Sequence, residues 1–374
     1  MHIIVIRAGI GGLTTAVALR RKQHTVSIYE QAPEPRAAGA GITLWANAVH
    51  ALDHIGAGDV LQSGIAAAEN AIRRWDGLPL SIMDPTTLAA RYGNPTLGIH
   101  RADLMTALLD LCDADIHYGK RLERYDQTDD AVTLQFTDGT VATADLLVGA
   151  DGIHSVVRRQ MYPTSTPVYR GYAAWRGVCS FDYDRVNNMW GESWGRGSRF
   201  GLIPLSEGRV YWFATENRPA SSPPDDHKGR LQHLFCDWHA PIPAVLDATP
   251  SDAVLYNDVF DIEPLTTWVD GRIVLLGDAA HAMTPNMGQG ACQAIEDGVA
   301  LADALTGAAH VSEQLLSYEA RRQQRANAVL SQSRRIGQLG QITNPALCWL
   351  RDQAVRLTPA SITLRQLDTV LRPA

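Results

Sequence analysis

The sequence predicts an α/β fold in which an antiparallel β-sheet is inserted into a chain of parallel-sheet type and a helical segment closes the C-terminus. Three observations carry that expectation: a strand, glycine turn, helix and strand at the start; a middle stretch rich in Trp and Tyr with short β-like runs; and helical spacing from Gly290 nearly to the end.

In the first unit, Ile3 to Ile6 form an unbroken apolar run, the mark of a parallel strand buried on both faces. Leu13 to Lys22 follow with apolar residues at helical spacing, and Thr25-Val26-Ser27-Ile28-Tyr29 forms a second strand ending at Glu30. Further on, Val132 to Phe136 alternate, Asp138-Gly139 supplies a hairpin turn, and Leu146 to Ala150 return to a buried strand. From about Val168 to Ile262 the composition changes. Trp175, Trp190, Trp194, Trp212, Tyr172, Tyr183, Tyr211 and Phe200 are interleaved with turn residues, as in an antiparallel sheet, and residues 219–226 read as an exposed loop within it. Arg272 to Leu276 resume a buried strand.

A chain of 374 residues, 45% of them hydrophobic, exceeds the roughly 250–300 residues at which one core divides, so two domains are expected. With 33 basic against 40 acidic residues and no run of five or six like charges, nucleic acid is not an expected partner. The five cysteines lack metal or disulfide spacing, and no metal site is expected. The N-terminal apolar run is too short for a signal peptide, and no stretch of about 18 apolar residues occurs. The expectation is a cytoplasmic protein, monomer or homodimer, without stable membrane association.

The turn Arg7-Ala8-Gly9-Ile10-Gly11-Gly12, with Leu13 after it, lies between strand and helix, where backbone N–H groups and the helix dipole receive a pyrophosphate. Gly9 and Gly12 hold the second and third positions of a dinucleotide fingerprint; Arg7 stands where the first glycine is usual. Glu30, eighteen positions after Gly12, is placed to accept from both hydroxyls of an adenosine ribose, and its charge disfavours a 2′-phosphate. The nucleotide held is therefore FAD or NAD.

Two later motifs decide between them. Asp151-Gly152-Ile153-His154-Ser155-Val156-Val157-Arg158 follows a buried strand, and Gly277-Asp278-Ala279-Ala280-His281 follows another, leading into Pro285-Asn286-Met287-Gly288-Gln289-Gly290 and a helix. In order and residue type they resemble the flavoprotein hydroxylases similar to para-hydroxybenzoate hydroxylase, the group A FAD-dependent aromatic monooxygenases. The pattern is nearest to the bacterial urate-hydroxylase and zeaxanthin-epoxidase-like branch. The resemblance implies a Rossmann-like FAD-binding domain with an inserted antiparallel substrate domain. It also implies FAD as cofactor, NADPH or NADH as a transient donor with no domain of its own, and oxygen transfer from dioxygen to a small aromatic substrate through a flavin C4a-hydroperoxide. Residues 1–72, 98–167 and 263–340 are expected in the FAD domain, 73–97 and 168–262 in the substrate domain, and 341–374 in a C-terminal helical segment.

By the same resemblance, Asp151 and Gly152 contact cofactor, Gly277 and Asp278 serve the ribityl chain, and Pro285, Gly288, Gln289 and Gly290 lie beside the isoalloxazine ring. Arg101 lies against the cofactor, with Arg36 and Gly41 in a further contacting loop. Arg199 and Tyr211 match positions that face substrate; strand alternation leaves the side of each open. His281 is a candidate general base or a packing residue, and Pro285 completes the catalytic candidates. A halogenase is disfavoured because W-x-W-x-I-P is missing: Trp190 and Trp194 are four apart. Another flavin-dependent oxidase, or a nucleotide-binding protein whose turnover Arg7 has weakened, are the alternatives. If the backbone at Arg7 is extended, the residue needs no positive φ and its guanidinium can swing outward or pair with a phosphate; otherwise flavin binding suffers.

Overall fold

The computed structural model describes residues 1–35, 39–182, 190–307 and 310–372. A six-stranded sheet takes the order Val269–Asp270, Ile273–Leu275, Leu146–Gly149, His2–Ile6, Thr25–Tyr29, Asp115–His117, parallel except for its first pair. Ile3, Ile4 and Val5 are wholly buried, as the unbroken apolar run requires. The helices Ile10–Arg21 and Gly290–Ala304 pack together beside this sheet, and the adjoining core is almost entirely aliphatic.

The aromatic stretch forms a seven-stranded sheet in the order Leu255–Asp261, Val168–Ser180, Arg209–Asn217, Ser198–Leu205, Gly191–Trp194, Asn70–Arg74, Pro79–Met83. Its pairings are antiparallel except that between Gly191–Trp194 and Asn70–Arg74. The boundary expected between residues 72 and 73 falls inside the strand Asn70–Arg74, which pairs along its length within this sheet. One face of the sheet presents Trp175, Phe200 and Trp212 to the helices His227–Phe235 and Ile242–Ala248. The opposite face presents Arg176, Arg199, Ile203 and Tyr211, as the cross-strand register dictates.

Between the two sheets, Gly41–Leu44 and Leu97–His100 pair antiparallel. The helices Val311–Gly340, Pro345–Leu357 and Ala360–Leu371 complete the chain. No helix among the described residues is long and apolar enough to cross a membrane.

Candidate active site

Arg7 adopts φ 85°, so the first fingerprint position is the left-handed turn that glycine normally supplies, not the extended backbone that would have tolerated a side chain. Its amide donates to the Tyr29 carbonyl at 2.9 Å. Its guanidinium neither swings outward nor stays free: Nη1 donates to the Asp151 carbonyl at 3.0 Å and lies against Gly152. Gly12 is obligatory because a Cβ there would stand 2.0 Å from the Arg7 carbonyl oxygen. Gly9 caps the helix Ile10–Arg21, and a Cβ on it would meet nothing within 4 Å, so the helix N-terminus opens onto space.

Two residues of this loop also serve packing. A Cβ at Gly11 would touch Ala294 at 3.1 Å, so that glycine admits the neighbouring helix, and Leu13 is a wholly buried core residue. Glu30 ends its strand with Oε2 accepting from the Ala8 amide at 2.9 Å and Oε1 from the Ala32 amide at 2.7 Å, which braces the carboxylate beside the phosphate turn. Arg36 lies outside the described residues.

The two distal motifs meet through Arg158, a fully buried residue that they sandwich. Its Nη1 donates to the carbonyls of Asp278 at 3.3 Å and Ala279 at 3.1 Å, and its Nη2 donates to that of Ile153. Asp151 turns one carboxylate oxygen back to cap the helix Val156–Met161, accepting from the Val156 amide at 2.6 Å, while its Oδ1 is buried with no partner among the described residues. Gly152 adopts φ 79° to make the turn.

Gly277 takes φ 57°, and its amide donates to Asp297 at 2.9 Å. That clamp points Asp278 into a cleft: its side chain is open, yet burial by the surrounding protein raises its carboxyl pKa against the opposing charges of His281, Arg101 and Arg158. Arg101 is open to the same cleft. Burial lowers its pKa and Asp278 offsets this, while Arg176 and Arg7 add like charge, so the phosphate turn and the aromatic sheet each bring a cation toward Arg101.

His281 is fully buried with Nε2 bonded to Asp297 Oδ2 at 2.6 Å and its ring against Trp268. Asp297 also accepts from Arg322 Nε at 2.8 Å. Burial pushes its carboxyl pKa up, but His281, Arg322 and the Gly277 amide outweigh it and hold the value at about 2. His281 is thus a strut in a buried charge network and not the general base suggested as one of its two roles; a ring with no access to the cleft cannot take a proton from substrate.

After it, Pro285 and Gly288 are open, and Gly288 adopts φ 60° beside the indole of Trp45. Gln289 is buried, its Oε1 accepting from Asn47 and Gln293, and Gly290 begins the helix with Asp278 beside it. The Gln289 Nε2 and the Trp45 Nε1 are buried without partners among the described residues.

On the sheet wall, register settles what alternation left open: Arg199 lies opposite Thr215 and Ile203 opposite Tyr211, so Arg199 and Tyr211 share the face turned to this cleft. Arg199 is fully buried, donating to Asn286 Oδ1 and to Glu192 at 3.3 Å, with Gly340 giving room for its stem. Asn286 therefore couples the Pro285 loop to the sheet. Tyr211 packs on Gly41, where a Cβ would fall 2.4 Å from its ring, so Gly41 makes room for this tyrosine; burial raises the phenol's pKa and keeps it protonated.

These residues fit FAD. The open helix N-terminus at Gly9, the braced carboxylate of Glu30, the unbonded carboxylate of Asp278 and the orphaned polar atoms of Asp151, Trp45 and Gln289 supply partners along an extended dinucleotide. Arg158, Asp297 and Arg176 are not singled out by sequence. Their roles depend on contacts across 120, 20 and more residues of chain, and only the Arg158 position, closing the Asp-Gly motif, carried any signal.

Residues 1–333 match the family described as FAD binding domain. The chain is 42% identical over 360 residues to the aurachin C monooxygenase/isomerase of Stigmatella aurantiaca, covering 96% of this chain and 94% of that protein. It is 34% identical over 342 residues to the FAD-dependent urate hydroxylase of Klebsiella pneumoniae, covering 90% and 89%. The crystal structure of Klebsiella pneumoniae HpxO complexed with FAD and uric acid superposes with a TM-score of 0.93 at 31% identity, covering 99% of this chain and 96% of that one.

Proposed function

The chain belongs to the FAD binding domain family, and from that premise we propose that it is an FAD-dependent monooxygenase acting on a small aromatic or heteroaromatic substrate, with NADPH or NADH as electron donor and dioxygen as oxidant. The observation that carries the reading is the turn at Gly277, pinned by Asp297, which aims an unbonded Asp278 carboxylate into a cleft between the parallel sheet and the aromatic one.

Glu30 and the amides of the phosphate turn would hold the adenosine end, and Asp278 would accept from a ribityl hydroxyl. When bound, FAD supplies the redox chemistry, taking reducing equivalents from the nicotinamide and activating dioxygen for insertion into the ring. Gly290 sets the N-terminus of a 15-residue helix at the Pro285–Gly290 loop, where its dipole stabilises negative charge. The protonated Tyr211 phenol would donate a hydrogen bond to substrate oxygen or nitrogen, and Arg199, buried behind the same face and held in place by Asn286 and Glu192, would supply a fixed positive charge for an anionic ring. The buried face formed by Trp190, Ile203 and Tyr211 excludes water from the reacting centre.

The purified protein should be yellow and, with a matching substrate, should couple NAD(P)H oxidation and dioxygen uptake to a hydroxylated or epoxidised product. Bound flavin with both rates at background across a broad aromatic panel would instead favour a binding protein without turnover.

A further inference from the structure

The helix Pro345–Leu357 is inside out. Its inward face buries Arg351, 6% exposed, which bonds to Asp352 and to the Gly195 carbonyl and lies over the Trp194 ring. Its outward face carries Leu347, Trp349, Leu350 and Leu357 at 52%, 60%, 54% and 78% exposure. At helical spacing Leu347, Leu350 and Leu357 share one side with Ala346 and Ala354, and Gln353 is the polar residue among them. The edge strand Pro79–Met83, which packs against this helix, leaves Ile82 56% exposed. Soluble proteins scatter exposed leucines singly; a clustered, rimmed patch marks something that covers it.

The charge around the patch selects the cover. From residue 335 to the end the chain has five arginines and two aspartates, although the whole chain carries a net charge of -7. Both aspartates are already bonded, Asp352 to Arg351 and Asp368 to Arg91. Arg335, Arg356 and Arg365 are exposed and take part in no ion pair among the described residues. An apolar helical face with a tryptophan on its flank, an exposed arginine, Arg356, in its last turn and a C-terminal segment of net positive charge has the chemistry of a helix lying in the interface of an anionic bilayer. A second copy of the chain would bring the same arginines toward one another across a two-fold axis.

We infer that the outer face of Pro345–Leu357 docks peripherally on an anionic lipid surface, with Leu350, Leu357 and Trp349 entering the headgroup region and Arg356 and Arg365 contacting lipid phosphates. The test is co-sedimentation of the full-length, flavin-loaded protein with vesicles of phosphatidylcholine alone and of phosphatidylcholine mixed with phosphatidylglycerol. Binding is expected at least about tenfold stronger to the anionic vesicles and weakened by added salt.

The double variant Leu350→Gln/Leu357→Gln should lower binding to both compositions by at least about tenfold, and Arg356→Gln/Arg365→Gln should abolish the preference between them. Trp349 should shift its emission to the blue on vesicle addition, a change missing from Trp349→Phe. All three variants alter exposed side chains, and unchanged melting temperatures check that they fold. Absence of vesicle binding in the parent protein overturns the inference. So does self-association, seen by analytical ultracentrifugation, that Leu350→Gln/Leu357→Gln abolishes while vesicles have no effect, since a second copy then covers the face.

Discussion

Replacing Arg7 by glycine separates two effects that this residue combines. Holding a non-glycine residue at φ 85° costs about 1–2 kcal/mol, whereas glycine adds about 0.5–1 kcal/mol of unfolded-state entropy and loses the guanidinium bond to the Asp151 carbonyl. That bond, half-exposed, contributes about 1 kcal/mol. These terms nearly cancel, so the melting temperature of apo Arg7→Gly should stay within about 5 °C of the parent.

Affinity behaves differently. The backbone strain is present with and without cofactor and drops out of the dissociation constant. The guanidinium bridges the phosphate turn and the Asp151–Gly152 turn, and the expectation is that its bond must give way when a dinucleotide enters between them. Removing it should tighten FAD binding by about tenfold, the equivalent of about 1.4 kcal/mol. Arg7→Ala keeps the strain and removes the guanidinium, so it should match Arg7→Gly in affinity yet fall about 1 kcal/mol below it in stability. Fluorescence titration of each apoprotein with FAD, with chemical denaturation alongside, measures both. Equal FAD affinity in all three proteins, or weaker binding by Arg7→Gly, refutes the reasoning.

Three further perturbations test the surrounding geometry. Gly41→Ala forces a Cβ to within 2.4 Å of Tyr211 near its own backbone, where the ring cannot rotate away; a loss of about 1–3 kcal/mol and a raised KM for substrate are expected, with FAD affinity little changed. An unshifted Tyr211 in a crystal structure of that variant would contradict this. Glu30→Ala leaves the Ala8 and Ala32 amides without their acceptor and should weaken FAD binding at least about tenfold, read by the same titration.

Asp297→Asn should cost about 2–4 kcal/mol at neutral pH because Arg322 keeps only Glu296 as a carboxylate partner and the Asp297 bonds to His281 and the Gly277 amide are weakened in the buried interior. The carboxyl of Asp297 sits below its ordinary value of 3.8, at about 2, so its contribution is complete above the ordinary value and disappears as pH falls toward the folded one. Denaturant titrations across that window should show the parent losing stability more steeply than the variant; parallel slopes would exclude the assignment.

Much of the fold was legible because it is local. Ile3 to Ile6 and Leu146 to Gly149 are continuous apolar runs, and only a strand covered on both faces accepts such a run. The glycine turns were legible for a similar reason: Gly152, Gly277 and Gly288 all take positive φ, a demand written into one residue. The same demand falls on Arg7, where no sequence pattern reveals that an arginine has been held in a glycine's conformation.

What the sequence determined by itself, then, was the strand–turn–helix frame, the family to which it belongs and the order of its motifs. Tertiary structure alone decided which of their residues turn to the cleft. Gly11 and Gly41 proved to be clearances for Ala294 and Tyr211, His281 became a strut on Asp297, and Arg199 and Tyr211 were brought to one face by the pairing of two strands. The physical reason is that backbone conformation and hydrophobic periodicity act over a few neighbouring residues. A side chain's partner, its burial and hence its charge state are set by segments that meet only when the whole chain has packed.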